Sequence, residues 1–169
     1  MDTPCPVCRG TGFEIRTRPD GLTAAVECAC GRRDREAALL SAARFPRRYE
    51  HCSLDGFEVH DASHEVALRV AREWVERWPD RVEHGLLFLG GPGTGKTHLA
   101  VGIARELARA KGARVLFYEQ RQLLKELQAT FDASSQRSEA DVLAVVRDAE
   151  VLVLDDLGAG RTSPWARDV

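Results

Sequence analysis

The stretch "LLFLGGPGTGKTHLA", residues 86–100, constrains this chain more than any other. Gly90, four further residues and then Gly95-Lys96-Thr97 satisfy the pattern G-x-x-x-x-G-K-[ST]. Glycines let the backbone turn so that successive N–H groups point inward at one anion. A helix beginning near Lys96 aims its positive end at the same place. Lys96 supplies a point charge for the β and γ phosphates of a nucleotide, and Thr97 offers a hydroxyl to Mg²⁺. The flanks agree with this reading. Leu86 to Leu89 is an apolar run bounded by glycines, which predicts a buried strand. Leu99, Ile103, Ala104 and Leu107 follow at helical spacing and predict a helix ending near Gly112. The candidate nucleotide-binding residues are therefore Gly91, Pro92, Gly93, Thr94, Gly95, Lys96, Thr97 and His98; His98 carries no chemical role that its position alone explains.

The chain beyond residue 60 alternates helix-like and strand-like segments, the mark of an α/β layered domain. Val66, Val70, Trp74, Val75 and Trp78 recur at helical spacing, and Pro79 follows as a stop signal. Val115–Tyr118 and Val151–Leu154 predict two further strands. Leu123, Leu124, Leu127 and Phe131 mark one helix, and Val142, Leu143, Val145 and Val146 another apolar face after a polar stretch. In a parallel sheet the C-terminal ends of the strands gather at one edge, where ligands bind. Asp155 ends the run Val151–Leu154, so it is placed to face Mg²⁺ opposite Thr97. Asp156 follows and could polarise a water attacking the γ phosphate. Asp155-x-x-Gly158 also reads as a GTPase pattern, and a small-molecule phosphotransferase needs no such base. The paired acids fit a motor-type ATPase better. Lys96, Asp155 and Asp156 are the candidate catalytic residues.

Residues 1–31 differ in character from the rest and hold four of the five cysteines. Cys5-x-x-Cys8 and Cys28-x-Cys30 form two close pairs separated by a loop, and four thiolates can surround Zn²⁺ tetrahedrally. Gly10 and Gly12 permit the tight backbone such a knuckle needs. A unit this small has almost no apolar core, so metal would supply much of its folding free energy. Cys52 reads as a small buried hydrophobe, and His60 and His64 as two surface histidines.

Charge and composition narrow the classes. The formal net charge is −2, which gives no overall electrostatic case for nucleic acid. The local cluster Arg44, Arg47 and Arg48 reads as a solvated face or as partners of carboxylates. No apolar run approaches the ~20 residues a membrane helix requires, and no secretory h-region opens the chain. A reducing, cytoplasmic setting is expected, where close cysteine pairs suggest metal rather than disulfides.

Taken in order, "CPVCRGTGF…CACGRR", "RFPRRYEHCSLDGFE", the glycine loop with its helix, "VLFYEQRQLLKEL" and "VLVLDDLGAGRTSPWARD" resemble the DnaC/IstB-like AAA+ ATPases. That family includes bacterial replicative-helicase loaders and transposition helpers. The resemblance implies an α/β P-loop NTPase of the AAA+ type, a three-layer parallel sheet, preceded here by the cysteine-rich zinc knuckle. It implies ATP bound at Gly93–Thr97, Mg²⁺ shared by Thr97 and Asp155, and Zn²⁺ at Cys5, Cys8, Cys28 and Cys30. Tyr49–Phe57 would lie near the adenine. Three parts are expected: a zinc-binding knuckle at 1–31, a linker and adenine-side lead-in at 32–58, and a partial ATPase core at 59–169.

Such ATPases place a further strand, arriving later in the sequence, between the P-loop strand and the acidic strand, followed by a sensor and an arginine finger. None of these precedes Val169, so the resemblance reads the chain as a C-terminally truncated N-terminal part with an incomplete sheet. Leu86–Leu89 and Val151–Leu154 would then either pair with each other or leave a gap. ATP hydrolysis is implied by the family and put in doubt by the missing regions. The expected partners are a replicative DNA helicase and single-stranded DNA, with homo-oligomers only for a full-length form and no membrane. Two readings stand beside the helicase loader: an IstB-like transposition helper, and a non-catalytic zinc-bearing interaction module.

Overall fold

A computed structural model describes residues 4–82, 84–132 and 135–158. The part of the acidic motif after Gly158 lies outside the described residues. The chain opens on an antiparallel hairpin of β1 (Phe13–Thr17) and β2 (Thr23–Glu27), with Phe13 opposite Glu27 and Thr17 opposite Thr23. α1 (Ala29–Ala42) follows directly and leads through a 3₁₀ turn at Arg47–Tyr49 to α2 (Ala62–Arg77). After the glycine loop come α3 (Lys96–Lys111), β3 (Val115–Glu119), α4 (Gln120–Ala129), α5 (Glu139–Arg147) and β4 (Val151–Asp155).

Local chemistry sets most of these limits. Asp61 accepts from the backbone N–H groups of Ser63 and His64 at 2.7 and 3.0 Å and starts α2. Ser138 and Asp141 form a reciprocal capping box at the head of α5. Gly112, at φ +69°, closes α3 in the left-handed conformation that favours glycine. Among the described residues, β3 and β4 form a two-stranded parallel sheet in register Val115↔Val151 to Glu119↔Asp155. Residues 115–118 of β3 are all buried, as a strand covered on both faces should be. The outer edge of β3 is not left bare: the Phe117 N–H donates to the Ala43 carbonyl at the end of α1, at 2.8 Å.

α3 lies at the centre. α1, α2, β3 and β4 all pack on it, and Leu99, Val101, Ile103, Ala104, Leu107 and Ala108 are buried along it. The segment 32–58 belongs to this core, because Ala43, Cys52, Leu54 and Phe57 are buried in the same cluster. The division expected between residues 31 and 32 falls inside α1. Cys52 is buried as expected, and burial pushes its thiol pKa up. Arg44 bonds the Tyr118 hydroxyl and lies 3.7 Å from Glu126, while Arg48 pairs with Glu119 at 2.6 Å.

Four expectations need correction. Leu86–Leu89 is not a ladder strand: it pairs neither with β4 nor with any other described segment. Leu86 and Phe88 are half-buried against the core, whereas Leu87 and Leu89 are 69% and 84% exposed. That alternation belongs to an extended segment covered on one face only. α2 is a helix as expected, and Trp74, Val75 and Trp78 of its expected stripe face the core, but Val66 and Val70 do not. Val66 and Val70 are exposed, and Ala71 and Val75 are buried with Ala67, Leu68 and Trp74 packed beside them. Small residues at 67 and 71 let α2 approach the core closely, which two valines would prevent. His64 is also not a free surface histidine, since its ring meets Phe57 edge-on at 5.7 Å. Phe131 lies beyond the end of α4 and is exposed.

Leu107→Ala should destabilise the chain by about 2–5 kcal/mol, the usual range for truncating a fully buried leucine. Val66→Ala should stay within about 0.5 kcal/mol, as an outward surface change does. Urea denaturation of the Val66→Ala protein checks that this face of α2 points outward, with Leu107→Ala as the reference for a buried site on α3.

Candidate functional site

The glycine loop takes the shape its sequence demands. Gly93 and Gly95 have φ of +77° and +78°, values other residues adopt only at a cost. Gly95 is needed twice over: a Cβ there would lie 2.5 Å from Cε2 of Phe57. It also caps α3 without any side-chain hydrogen bond, so no side-chain cap claims the first-turn N–H groups. Thr94 donates its hydroxyl to the Gly91 carbonyl at 3.0 Å. The Lys96 ammonium folds across the loop, donating to the carbonyls of Gly90 and Gly91 at 2.9 and 2.7 Å.

Fifty-eight residues later in the chain, β4 returns to the same place. The Thr97 hydroxyl lies 3.0 Å from each carboxylate oxygen of Asp155. Parallel pairing of β4 with β3, and packing of both on α3, set that meeting point. Asp156 has φ +57°, a left-handed conformation that aspartate tolerates better than most residues and that still carries strain. Pro92, Gly93, Lys96, Thr97, Asp155 and Asp156 line one cavity of about 910 Å³, whose other walls are Leu86–Leu89 and the remainder of β4. A gap, rather than a shared ladder, therefore separates Leu86–Leu89 from Val151–Asp155. Gly91, Thr94, Gly95 and His98 are not among the residues that line this cavity, and the His98 ring reaches Ser53 instead.

One neighbour of the site carries no sequence signal. The Gln120 side-chain oxygen accepts from the Gly158 N–H at 2.9 Å and ties the start of α4 to the turn after Asp156. Only the adjacency of β3 and β4 brings these two residues together.

The cysteines converge separately. The four sulfurs of Cys5, Cys8, Cys28 and Cys30 all lie within 4.8 Å of one another. Cys5 and Cys28 are 3.9 Å apart, Cys8 and Cys30 3.2 Å. Four sulfurs at ~2.3 Å from a central zinc would be ~3.8 Å apart, so the donor set fits a tetrahedral soft cation. Gly10 and Gly12 take φ of +89° and +75° in the knuckle, as their role there requires. Gly12 receives the Cys28 N–H at 2.8 Å, which brings the second pair to the first. Backbone N–H groups of Cys8 and Val7 face the Cys5 sulfur and lower its pKa. The Cys30 thiol beside Cys8 lowers the Cys8 pKa to about 6, and Cys30 is raised correspondingly.

A sequence model of the family described as IstB-like ATP binding protein matches residues 24–166, which include the glycine loop and both acids. The chain belongs to this IstB-like ATP-binding family. The replicative helicase loader DnaC of Escherichia coli strain K12 is 30% identical over 119 residues, 70% of this chain and 47% of DnaC. The chain thus spans about half the length of the curated relatives it matches. A crystal structure of the DnaC helicase loader superposes with a TM-score of 0.65 at 35% identity, covering 73% of this chain and 68% of that one. A putative primosome component from Streptococcus pyogenes serotype M3 gives 0.61 at 28% identity, with 73% and 65% covered. The α/β fold is that of these IstB/DnaC-type P-loop proteins. Cys5 and Cys8 lie outside the family match, so the cysteine cluster rests on its own geometry.

Gly95→Ala and Gly93→Ala separate two constraints on this loop. Gly93 faces open space, so its variant should lose about 1–2 kcal/mol from the left-handed backbone alone. Gly95→Ala should lose more, because Phe57 must also move. Thermal denaturation of the two proteins side by side measures the difference.

Proposed function

We propose that this chain is the ATP-binding part of a helicase-loader-like replication ATPase. The single observation that carries the reading is the Thr97–Asp155 contact beside Lys96 in one cavity. A hydroxyl and a carboxylate converging beside an ammonium and a free helix N-terminus form the donor set for a metal-bound triphosphate. Backbone N–H groups of Gly91 and of Gly93 to His98 hold the phosphates, Lys96 neutralises their charge, and Thr97 with Asp155 would hold Mg²⁺. A bound Mg²⁺ would supply charge neutralisation to the phosphates at this place. Asp156 orients water for hydrolysis. By similarity to the DnaC loaders, the partner is a replicative DNA helicase, with single-stranded DNA as a second contact, in a cytoplasmic setting where full-length copies assemble together. The match to the IstB-like family favours a transposition helper as the second reading, with the same site chemistry.

The parts expected at 1–31, 32–58 and 59–169 become a zinc-binding knuckle ending at the head of α1 and a partial AAA+ core at 59–169 into which the 32–58 lead-in packs. The cleft between Leu86–Leu89 and β4 supports an incomplete three-layer sheet, since apolar Leu86, Phe88, Val151 and Val153 line it and the facing backbones lack ladder partners. Zn²⁺ at Cys5, Cys8, Cys28 and Cys30 would tie the hairpin to the head of α1.

Binding of a fluorescent ATP analogue tests the site. Lys96→Ala should weaken it by about 100-fold or more, the loss of a charge-assisted contact of roughly 3 kcal/mol. Asp155→Asn should reduce the affinity in Mg²⁺ to that measured in EDTA. Unchanged binding by Lys96→Ala, or a strong preference for GTP, refutes the reading.

The metal has its own test. Purified protein should carry about one Zn²⁺ per chain, and Cys28→Ser should lose it. Chelation should speed tryptic cleavage after Arg16 in the hairpin while leaving α3 protected. A metal-free wild type with a protected hairpin would refute zinc.

A further inference from the structure

The first turn of α3 divides its side chains among four tasks. Lys96 reaches the loop carbonyls, Thr97 reaches Asp155, Leu99 enters the core, and His98 reaches the lead-in. The His98 Nε2–H donates to the Ser53 carbonyl at 2.8 Å, with the Ser53 N–H 3.3 Å away. From Ser53 the chain makes a tight turn, closed by the Gly56 N–H donating to the Ser53 hydroxyl at 3.0 Å. That turn delivers Phe57, which is buried and whose ring rests on Gly95. The Phe57 ring also meets the His98 ring edge-on, 5.4 Å between centroids. Gly102, one turn further along the same face of α3, lets the backbone at Ser53 and Leu54 come within 3.1 Å of where its Cβ would be. Residues 95, 98 and 102 thus form one contact face for the lead-in. The contacts close on themselves: His98 to Ser53, Ser53 through the turn to Phe57, Phe57 to Gly95, and Gly95 through the α3 backbone to His98.

This circuit passes through the phosphate loop without touching the cavity where the phosphates would lie. We propose that His98 is a positioning residue for phosphate binding: it holds the 53–57 turn so that Phe57 presses on Gly95 and keeps the first-turn amides of α3 in register with the anion. The inference rests on the nucleotide reading above and deepens it. Loss of the His98 ring leaves the Ser53 carbonyl without its donor in a half-buried place, and it removes one of the two imidazole rings, His98 and His64, that meet Phe57 edge-on. The contact of Phe57 with Gly95 is then less firmly held. Because the effect acts on the amides and not on the base, it falls equally on ATP and on a bare polyphosphate.

The test measures dissociation constants of the full chain for Mg²⁺–ATP and for inorganic tripolyphosphate, together with melting temperatures. His98→Ala should weaken both ligands roughly tenfold, from one hydrogen bond lost and one acceptor stranded. Phe57→Leu, which keeps apolar volume, should weaken both roughly two- to tenfold. His98→Gln, which can still donate to Ser53, should recover both to within about threefold of wild type. A fall in melting temperature with unchanged constants for both ligands makes His98 merely structural and overturns the inference. Weakening of ATP alone makes it a base contact and also overturns it. A wild-type chain that binds neither ligand removes the nucleotide reading itself, and the inference with it.

Discussion

Burial of α3 is the constraint on which the other features depend. α1 and α2 cover its flanks, and the β3–β4 pair covers a further face. Leu99 and Leu107 are almost wholly removed from solvent, and each buried leucine contributes up to about 1.5–3 kcal/mol of transfer free energy. A helix held this tightly has a fixed N-terminus. The glycine loop, Lys96 and Thr97 therefore sit on a rigid element, not on a free loop, and the acid arriving from β4 meets a stationary target. Precise placement of a few polar groups requires such support.

The sheet is held unevenly. On one side β3 is covered by α1, and even its outer edge finds an acceptor in the Ala43 carbonyl. On the other side β4 faces a cleft, with Leu152 partly exposed and Leu87 and Leu89 in solvent across it. Backbone groups along such an edge must be satisfied by water or by another strand. The phosphate loop and the acidic strand are consequently joined through α3 and through the Thr97–Asp155 contact, without ladder hydrogen bonds between their own segments. Geometry at the site is set by helix packing more than by sheet pairing.

The amino-terminal hairpin follows a different rule. Among its described residues before Ala29, only Cys8 and Cys28 are buried, while Phe13, Ile15 and Leu22 are exposed. Apolar burial cannot order a unit of this kind, and a cysteine cluster with tetrahedral spacing can. The core around α3 is ordered by close packing, whereas the hairpin has little apolar burial and carries a four-cysteine cluster instead.

Much was legible without coordinates because much of it is local. The glycine loop, its helix, the strand runs at 115–118 and 151–154, and the pairs of cysteines all depend on spacing along a few residues, and spacing is what a sequence records. Asp155 was legible too, because an acid at the end of a buried parallel strand has few places to go. The face that α2 buries was legible at Trp74, Val75 and Trp78 but not in its first half, since Val66 and Val70 offered a stripe as apolar as the one at Ala67 and Ala71. Nor were the hold of Gln120 on Gly158 or the turn of His98 toward Ser53, and between the two outcomes open for Leu86–Leu89, pairing with β4 or a gap, the sequence did not choose. Each of these depends on which distant segment arrives alongside, and only the packed chain decides that. Local pattern determined the chemistry this protein carries; the close approach of α2 and the lead-in to α3 determined how that chemistry is held.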